Sequence, residues 1–380
     1  MANLFDYLKW RGDLDPRAVP YDEADYAILS ALAYCPFEKI EGAQVVGSTL
    51  GALSQNCAAA TGEIGTSDWH KAIGELWRGI HARPRFACLT VARFVNSVED
   101  NEVDELDKQF AAVTFALDDT AYVAFRGTDS TMVGWREDFN MGYEDSVPSQ
   151  RDALAYLEEL PARFTKVALC GHSKGGNLAL YTAAKARQLQ GRITGAWNFD
   201  GPGLSDALMA ESGWKQIQPC THCVVPESSV IGMLFGRGVT RRVVRSSGAS
   251  LAQHNLFLWE VEGPRFVEAD AMTGSSEYFA RVLDEWLRAS TDDERKSFVD
   301  ALFKLVNASG ATRTGELAAT VARNLPSVFR AGNQYTDAEK AALKSFGSSL
   351  ARESGEMLNE AFGDKLGPLM AGLGITMPQA

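Results

Sequence analysis

The chain has 380 residues, 46% hydrophobic and 23% charged, which is typical of a globular protein and excludes a disordered, collagenous or short modular chain. Its net charge of −12 provides no basic surface for a phosphate backbone, so we expect no nucleic-acid partner. Six scattered cysteines, no signal peptide and no stretch apolar enough to cross a membrane favour a cytoplasmic protein.

The first part of the chain, residues 1–85, is predicted to be helical and loop-rich and to pack on a core domain. Apolar residues at helical spacing predict a helix over residues 22–32. The core domain is predicted over residues 86–289 and begins with β-rich runs at 88–95, 110–117 and 121–125. Asp118 and Asp119 form a plausible hairpin turn between the second and third runs.

Strands and helices then alternate along the core domain. Helices are predicted over 149–164 and 176–190, and strands over 167–170, 193–199, 222–225 and 242–245. This alternation predicts an α/β fold with a mostly parallel central sheet flanked by helices. Residues 290–380 are predicted as a C-terminal helical appendage, in which the capping boxes Thr291-x-x-Glu294 and Thr336-x-x-Glu339 open two helices.

The clearest chemical motif is Gly171-His172-Ser173-Lys174-Gly175, between a predicted strand and a predicted helix. A Gly-x-Ser-x-Gly sequence in that context is the nucleophile elbow of the α/β-hydrolase fold, with Ser173 as the nucleophile. The serine backbone is strained there, and side chains at the glycine positions would clash with the neighbouring strand and helix. We therefore predict an α/β-hydrolase fold with an activated serine.

A nucleophilic serine needs a base, which in this fold follows it in the chain. Of the two later histidines, His222 lies inside an apolar strand and is interpreted as a packed strand residue. His254 lies in a loop and is the favoured base. His172 is too close to Ser173 along the chain to point at its hydroxyl, and we assign it to packing beside the turn.

Two carboxylates stand at predicted strand ends and are candidates for the acid that orients the base. Asp200 ends the strand after the elbow strand, and Glu227 ends the next one. Because the later strand is the more usual position for the acid, we favour Glu227 and keep Asp200 as the alternative.

Beyond these motifs, Ala124-Phe125-Arg126-Gly127-Thr128 followed by Trp135-x-x-Asp138 resembles a block of class 3 lipases. The elbow spelling and the Pro226–Gly232 and Gln253-His254 segments look similar to a bacterial branch of these enzymes, the DUF2974 or Mbeg1-like family. The resemblance covers about residues 3–287.

The lipase resemblance implies that Thr128 and the backbone N–H of Lys174 form the oxyanion hole. It also implies that Asp138 hydrogen-bonds the oxyanion hydroxyl and that Trp135 is the aromatic residue near the lid. Two departures are Glu227, where lipases commonly have Asp, and Asp200-Gly-Pro-Gly, where they have a Gly-x-Pro-Arg pattern.

The predicted function is hydrolysis of a small-molecule or lipid carboxylic ester through an acyl-enzyme, without a cofactor or metal. The alternatives are a catalytically silent binding or scaffold protein and an acyltransferase that uses the same intermediate. Cys220-x-x-Cys223 lies in a predicted strand, where a redox or zinc motif is not expected. A basic run is interpreted as solvated strand edges, with transient contact to an anionic membrane surface as the alternative; it comprises Arg237, Arg241, Arg242 and Arg245.

Overall fold

A computed structural model describes residues 1–40, 44–56, 67–99, 108–127, 141, 146–235, 238–309 and 335–351. The chain divides into two compact units. The first comprises Met1–Val98, Phe110–Gly127 and Pro148–Met272, and the second Glu99–Gln109, Thr128–Val147 and Thr273–Ala380. Residues 1–85 belong to the first unit, and the last segment of the second unit begins at Thr273.

The first unit is built on a seven-stranded sheet whose strands lie side by side in chain order. The strands are β1 (Thr90–Glu99), β2 (Lys108–Leu117), β3 (Thr120–Phe125), β4 (Lys166–His172), β5 (Ile193–Phe199), β6 (Thr221–Pro226) and β7 (Arg241–Val244). Strands β2 and β3 form an antiparallel hairpin, whereas β3 to β7 are parallel throughout. The predicted mostly parallel sheet is confirmed.

Helices cover both faces of this sheet. Those before β1 are α1 (Leu4–Arg11), α2 (Glu23–Leu32), α3 (Leu50–Asn56), α4 (Asp68–Ile80) and α5 (Pro84–Ala87). Those after β3 are α6 (Pro148–Glu158), α7 (Lys174–Lys185), α8 (Asp206–Ala210) and α9 (Ser212–Ile217). A small hairpin of β8 (Val261–Glu262) and β9 (Arg265–Phe266) follows.

Alternation of side chains along the strands explains the two layers of helices, because successive residues of a strand point to opposite faces. On β4, Val167 and Leu169 pack with residues of α6, α7 and α9, whereas Cys170 packs on the other face with residues of α1, α2 and α4. Parallel strands buried on both faces read as continuous apolar runs, and β4 does so. The predicted α/β class is therefore confirmed.

Two predicted helices have different ends in the structure. The helix predicted over 149–164 ends at Glu158, because Pro161 has no N–H and disfavours helical backbone before it. Helix α7 begins directly after Ser173 and ends at Lys185. The Gln190 side-chain amide donates to the carbonyls of Ala183 and Ala184, which satisfies acceptors that a helix end leaves open.

The second unit contains the helices α10 (Gly274–Ala289), α11 (Asp292–Ser309) and α12 (Asp337–Ala351). Both predicted capping boxes form, since Thr291 and Thr336 each exchange hydrogen bonds with the glutamate three residues later. Trp286, Phe298 and Leu343 belong to a small core between these helices. Among the described residues, no helix is long and apolar enough to cross a membrane.

Candidate active site

The turn between β4 and α7 holds Ser173 in a strained backbone conformation. Its φ of 59° and ψ of −136° lie in a region that residues other than glycine rarely adopt. A Cβ on Gly171 would stand 2.1 Å from the carbonyl carbon of Gly175, and one on Gly175 would stand 2.1 Å from the carbonyl oxygen of Phe125. Only glycine fits at either position, so the elbow geometry predicted from the sequence is present.

The imidazole of His254 meets the carboxylate of Asp200 beside this turn. Nδ1 of His254 lies 2.7 Å from Oδ2 of Asp200, which is hydrogen-bond distance. The Asp200 side chain is only 1% exposed, whereas that of His254 is 27% exposed. A buried carboxylate thus contacts a partly open histidine, which is the relation that an acid has to the base it orients.

Two further donors hold the other oxygen of the Asp200 carboxylate. Oδ1 accepts hydrogen bonds from the Ser229 hydroxyl at 2.5 Å and from the Gly232 N–H at 3.2 Å. Asp200 itself has a φ of 50°, and its own N–H donates to the carbonyl of Val224 on β6. The carboxylate is therefore fixed on both sides, and Oδ2 is directed at the histidine.

The backbone connects Ser173 to the two residues that bind His254, which are its neighbour His172 and Asp200. On one side, Nε2 of His172 is 2.7 Å from the carbonyl oxygen of His254. On the other, the N–H of Ser173 donates to the carbonyl of Phe199, the residue that precedes Asp200. Because β4 and β5 are adjacent parallel strands, the serine and the aspartate follow them at the same edge of the sheet.

The carboxylate beside His254 is thus Asp200 and not the Glu227 that we favoured. Glu227 follows β6, two strands from the elbow strand, or roughly 10 Å at the usual strand spacing. Its N–H donates to the carbonyl of Val244, so the backbone there continues the ladder toward β7. Asp200 follows the adjacent strand, and its left-handed backbone turns the side chain toward the histidine.

The loop that carries His254 is fastened by the side chain of Gln253. This buried amide accepts a hydrogen bond from the Ser228 N–H and donates one to the carbonyl of Gly248. The backbone carbonyl of Gln253 in turn accepts from the indole N–H of Trp259 at 2.6 Å. The short 3₁₀ turn that ends at His254 is therefore held on both sides.

Three residues assigned by resemblance, Thr128, Trp135 and Asp138, lie outside the described residues. Gly127, directly before Thr128, is described, and its N–H donates to the Tyr34 hydroxyl at 3.1 Å. Lys174 is the first residue of α7, and its side chain is fully buried. The oxyanion hole therefore stays a prediction.

The remaining sequence candidates lie on β6 and β7. His222 is exposed and stacks on Trp197, with ring centroids 3.9 Å apart, and desolvation together with Arg265 lowers its pKa. Cys223 is buried, which raises the pKa of its thiol to about 12. Among the described residues, no group of three His, Cys, Asp or Glu side chains could hold a metal ion.

Two residues of the basic run, Arg241 and Arg242, are held by the first unit and do not form the solvated edge that we predicted. The guanidinium of Arg241 donates to the carbonyls of Gly232, Phe235 and Val239, and Arg242 pairs with Glu23. Both are structural contacts of the first unit. Arg245 is exposed, and Arg237 lies outside the described residues.

Sequence reasoning missed the residues that support the site, above all Tyr34 and Ser229. Ser229 lies in the segment Pro226–Gly232 that carries the family resemblance, but a serine hydroxyl has no local pattern that marks it as a partner of a distant carboxylate. Tyr34 is 138 residues away from its partner His172, and no local pattern signals such a pair.

The chain is similar to a protein family and to solved structures. The model of the Mbeg1-like family matches residues 80–304, which is more than half of the chain. No curated protein sequence matches. Among the solved structures that match is a crystal structure of M37 lipase, which is 14% identical and covers 56% of this chain and 69% of its own, with a TM-score of 0.33. On the family match, the chain belongs to the Mbeg1-like family.

Proposed function

We propose that this chain is a serine hydrolase that cleaves carboxylic esters through an acyl-enzyme on Ser173. The observation that carries the proposal is the 2.7 Å contact between His254 Nδ1 and the buried carboxylate of Asp200, beside a serine on a strained strand-to-helix turn. Nucleophile, orienting acid and base follow the chain order Ser, Asp, His that is usual for this fold. The family resemblance agrees with the proposal.

In the first half of the reaction, Nε2 of His254 takes the proton of the Ser173 hydroxyl while Oγ bonds to the ester carbonyl carbon. The carbonyl electrons move to oxygen, and the resulting oxyanion is met by the N–H of Lys174 and by Thr128, as the lipase resemblance implies. When the intermediate collapses, the alcohol leaves with the proton held by His254. Water then repeats these steps on the acyl-enzyme and releases the acid.

Asp200 fixes the tautomer of His254 in this scheme. A carboxylate can only accept, so the hydrogen of the neutral imidazole is on Nδ1 and the lone pair is on Nε2, where the serine proton must go. Because Ser229 and Gly232 hold the other carboxylate oxygen, Asp200 needs no rearrangement when the imidazole becomes charged. Such pre-orientation is the main contribution of the third triad residue.

The test is pre-steady-state hydrolysis of p-nitrophenyl esters from short to long acyl chains. We expect a burst of one p-nitrophenol per protein, followed by slower turnover, because the acyl-enzyme accumulates. His254→Ala should abolish the burst and His222→Ala should keep it, since His222 is an exposed strand residue. If the folded protein shows neither a burst nor turnover, the result favours the silent binding protein. If an added alcohol speeds the release of p-nitrophenol and a new ester of that alcohol is formed, the result favours the acyltransferase.

A further inference from the structure

The histidine inside the elbow makes hydrogen bonds through both ring nitrogens. His172 is 4% exposed; its Nε2 lies 2.7 Å from the carbonyl oxygen of His254 and its Nδ1 lies 3.3 Å from the Tyr34 hydroxyl. A carbonyl oxygen only accepts, so the ring hydrogen is on Nε2. Nδ1 of a neutral ring is then an acceptor, and the single hydroxyl hydrogen of Tyr34 is shared between this Nδ1 and the backbone carbonyl oxygen of His172, each 3.3 Å away.

The hydroxyl of Tyr34 also accepts a hydrogen bond from the Gly127 N–H at 3.1 Å. The three bonds run in one direction, from Gly127 to Tyr34, from Tyr34 to His172, and from His172 to the backbone of His254. They join four separate segments: the chain after β3, the chain after α2 that carries Tyr34, the elbow, and the loop of the general base. The junction is close-packed, because a Cβ on Gly127 would stand 2.3 Å from the Tyr34 hydroxyl and 2.5 Å from the His172 carbonyl oxygen.

Ring contacts hold His172 in the orientation that these bonds require. Its ring stacks on Trp69 with centroids 4.9 Å apart and lies 4.4 Å from the ring of His254. Tyr34 packs edge-on against Trp69 at 5.0 Å. Desolvation, and next the charge of His254, keep the pKa of His172 well below its usual value, so the ring stays neutral. A neutral ring is needed for Nδ1 to accept from Tyr34.

We propose that His172 is a positioning residue for the reaction: it fixes the backbone of His254 relative to the nucleophile, and Tyr34 extends this connection to the strand end that precedes Thr128. The proposal rests on the proposed function, since it assigns His254 as the base. His172 touches neither the substrate nor the reacting atoms. It acts by holding the loop that carries the imidazole of His254 beside the elbow, where the rings of His172 and His254 lie 4.4 Å apart.

The matched variants are His172→Gln, His172→Asn and Tyr34→Phe. The Gln amide reaches as far as Nε2 and can still donate to the His254 carbonyl, whereas the Asn amide is one carbon shorter and cannot. We expect Asn to lower kcat about 100-fold with KM unchanged within about twofold, since displacement of a catalytic group by about 1 Å costs that much. His172→Gln should keep kcat within about fivefold of wild type, because its amide still binds the His254 carbonyl. Tyr34→Phe should lower kcat about tenfold, because a smaller displacement of the catalytic group costs less.

A purely structural role would lower stability without separating Gln from Asn in kcat. Equal kcat values for wild type and the Asn variant, both folded, would overturn the inference, as would equal losses in the Gln and Asn variants. Labelling by a fluorophosphonate separates this failure from that of the proposed function. A wild-type protein that is not labelled refutes the serine hydrolase and the positioning role with it, whereas an Asn variant labelled at the wild-type rate refutes only the latter.

A second measurement does not depend on activity. Long-range ¹H–¹⁵N spectra of the five histidine rings report each tautomer directly. We expect one ring, absent from the spectrum of His172→Gln, to stay neutral with its hydrogen on Nε2 from pH 6 to pH 8. A hydrogen on Nδ1, or protonation of this ring at pH 6, would show that the hydrogen-bond chain does not exist.

Discussion

Replacing Asp200 with Asn tests the triad in a way that leaves the surrounding contacts in place. The amide oxygen of the Asn side chain takes the position of Oδ1, because Ser229 and Gly232 both donate to that atom. The NH₂ group then takes the position of Oδ2 and points at Nδ1 of His254, which lies 2.7 Å from Oδ2 in the wild-type protein. Nδ1 must become the acceptor, so the ring hydrogen moves to Nε2. In that tautomer the imidazole cannot take the proton of Ser173.

The expected loss of activity is large. The wrong tautomer together with the lost negative charge lowers kcat by about 10⁴ in a triad of this kind, which corresponds to about 5.4 kcal/mol of transition-state stabilisation. Stability should change little, because both donors to the Oδ1 position keep their acceptor. Asp200→Ala differs in this respect, because it leaves the Ser229 hydroxyl and the Gly232 N–H without an acceptor. Each of these buried groups should then lower the free energy of unfolding by about 1–3 kcal/mol.

The assay is steady-state hydrolysis of a p-nitrophenyl ester by wild type, Asp200→Asn and the control Glu227→Gln, with circular dichroism to check that each variant is folded. Glu227→Gln should retain activity within about twofold, because a surface substitution away from the triad changes little. The reasoning is refuted if Asp200→Asn keeps kcat within about tenfold of wild type while Glu227→Gln loses it.

Three further predictions concern stability. Gly175→Ala should lower the free energy of unfolding in urea by about 3 kcal/mol, because its Cβ would overlap the Phe125 carbonyl oxygen. The control Gly191→Ala, which has open space around it, should change that free energy by less than about 0.5 kcal/mol. Equal effects of the two substitutions would contradict the elbow packing. Ser229→Ala should cost about 1.5–3 kcal/mol, since its hydroxyl donates to a buried carboxylate, and a loss below about 0.5 kcal/mol would argue against that bond. Burial lowers the pKa of His172, so below pH 6.5 the unfolded chain binds a proton that the folded chain does not. Stability should therefore fall between pH 7.5 and 5.5, by up to about 1.4 kcal/mol per pH unit from this group, and His172→Gln should show a smaller fall than wild type.

The sheet and the elbow were predictable because their signals are local. β4 is an apolar run followed by a glycine-rich turn, and the strand predicted at 193–199 matches β5 (Ile193–Phe199) residue for residue. The capping boxes also involve residues only three positions apart. His254 could be selected because only one other histidine follows the serine and that one lies inside a strand.

The acid and the support of the site depend on contacts that sequence spacing does not encode. Asp200 and Glu227 have equivalent positions at strand ends, and what distinguishes them is the left-handed φ of Asp200 and its place after the strand next to the elbow strand. The same holds for the buried pair of Arg85 and Asp25, which are both fully buried although their residue types are usually exposed. Such pairs form only when the helices have packed.

The most direct test of the central claim is the mass of the intact protein after exposure to a fluorophosphonate probe, for wild type, Ser173→Ala and His254→Ala. The account predicts one covalent adduct on wild type and none on either variant, because the probe reacts only with a serine that a base has activated. An adduct that persists in Ser173→Ala, or no adduct on the folded wild-type protein, would contradict it.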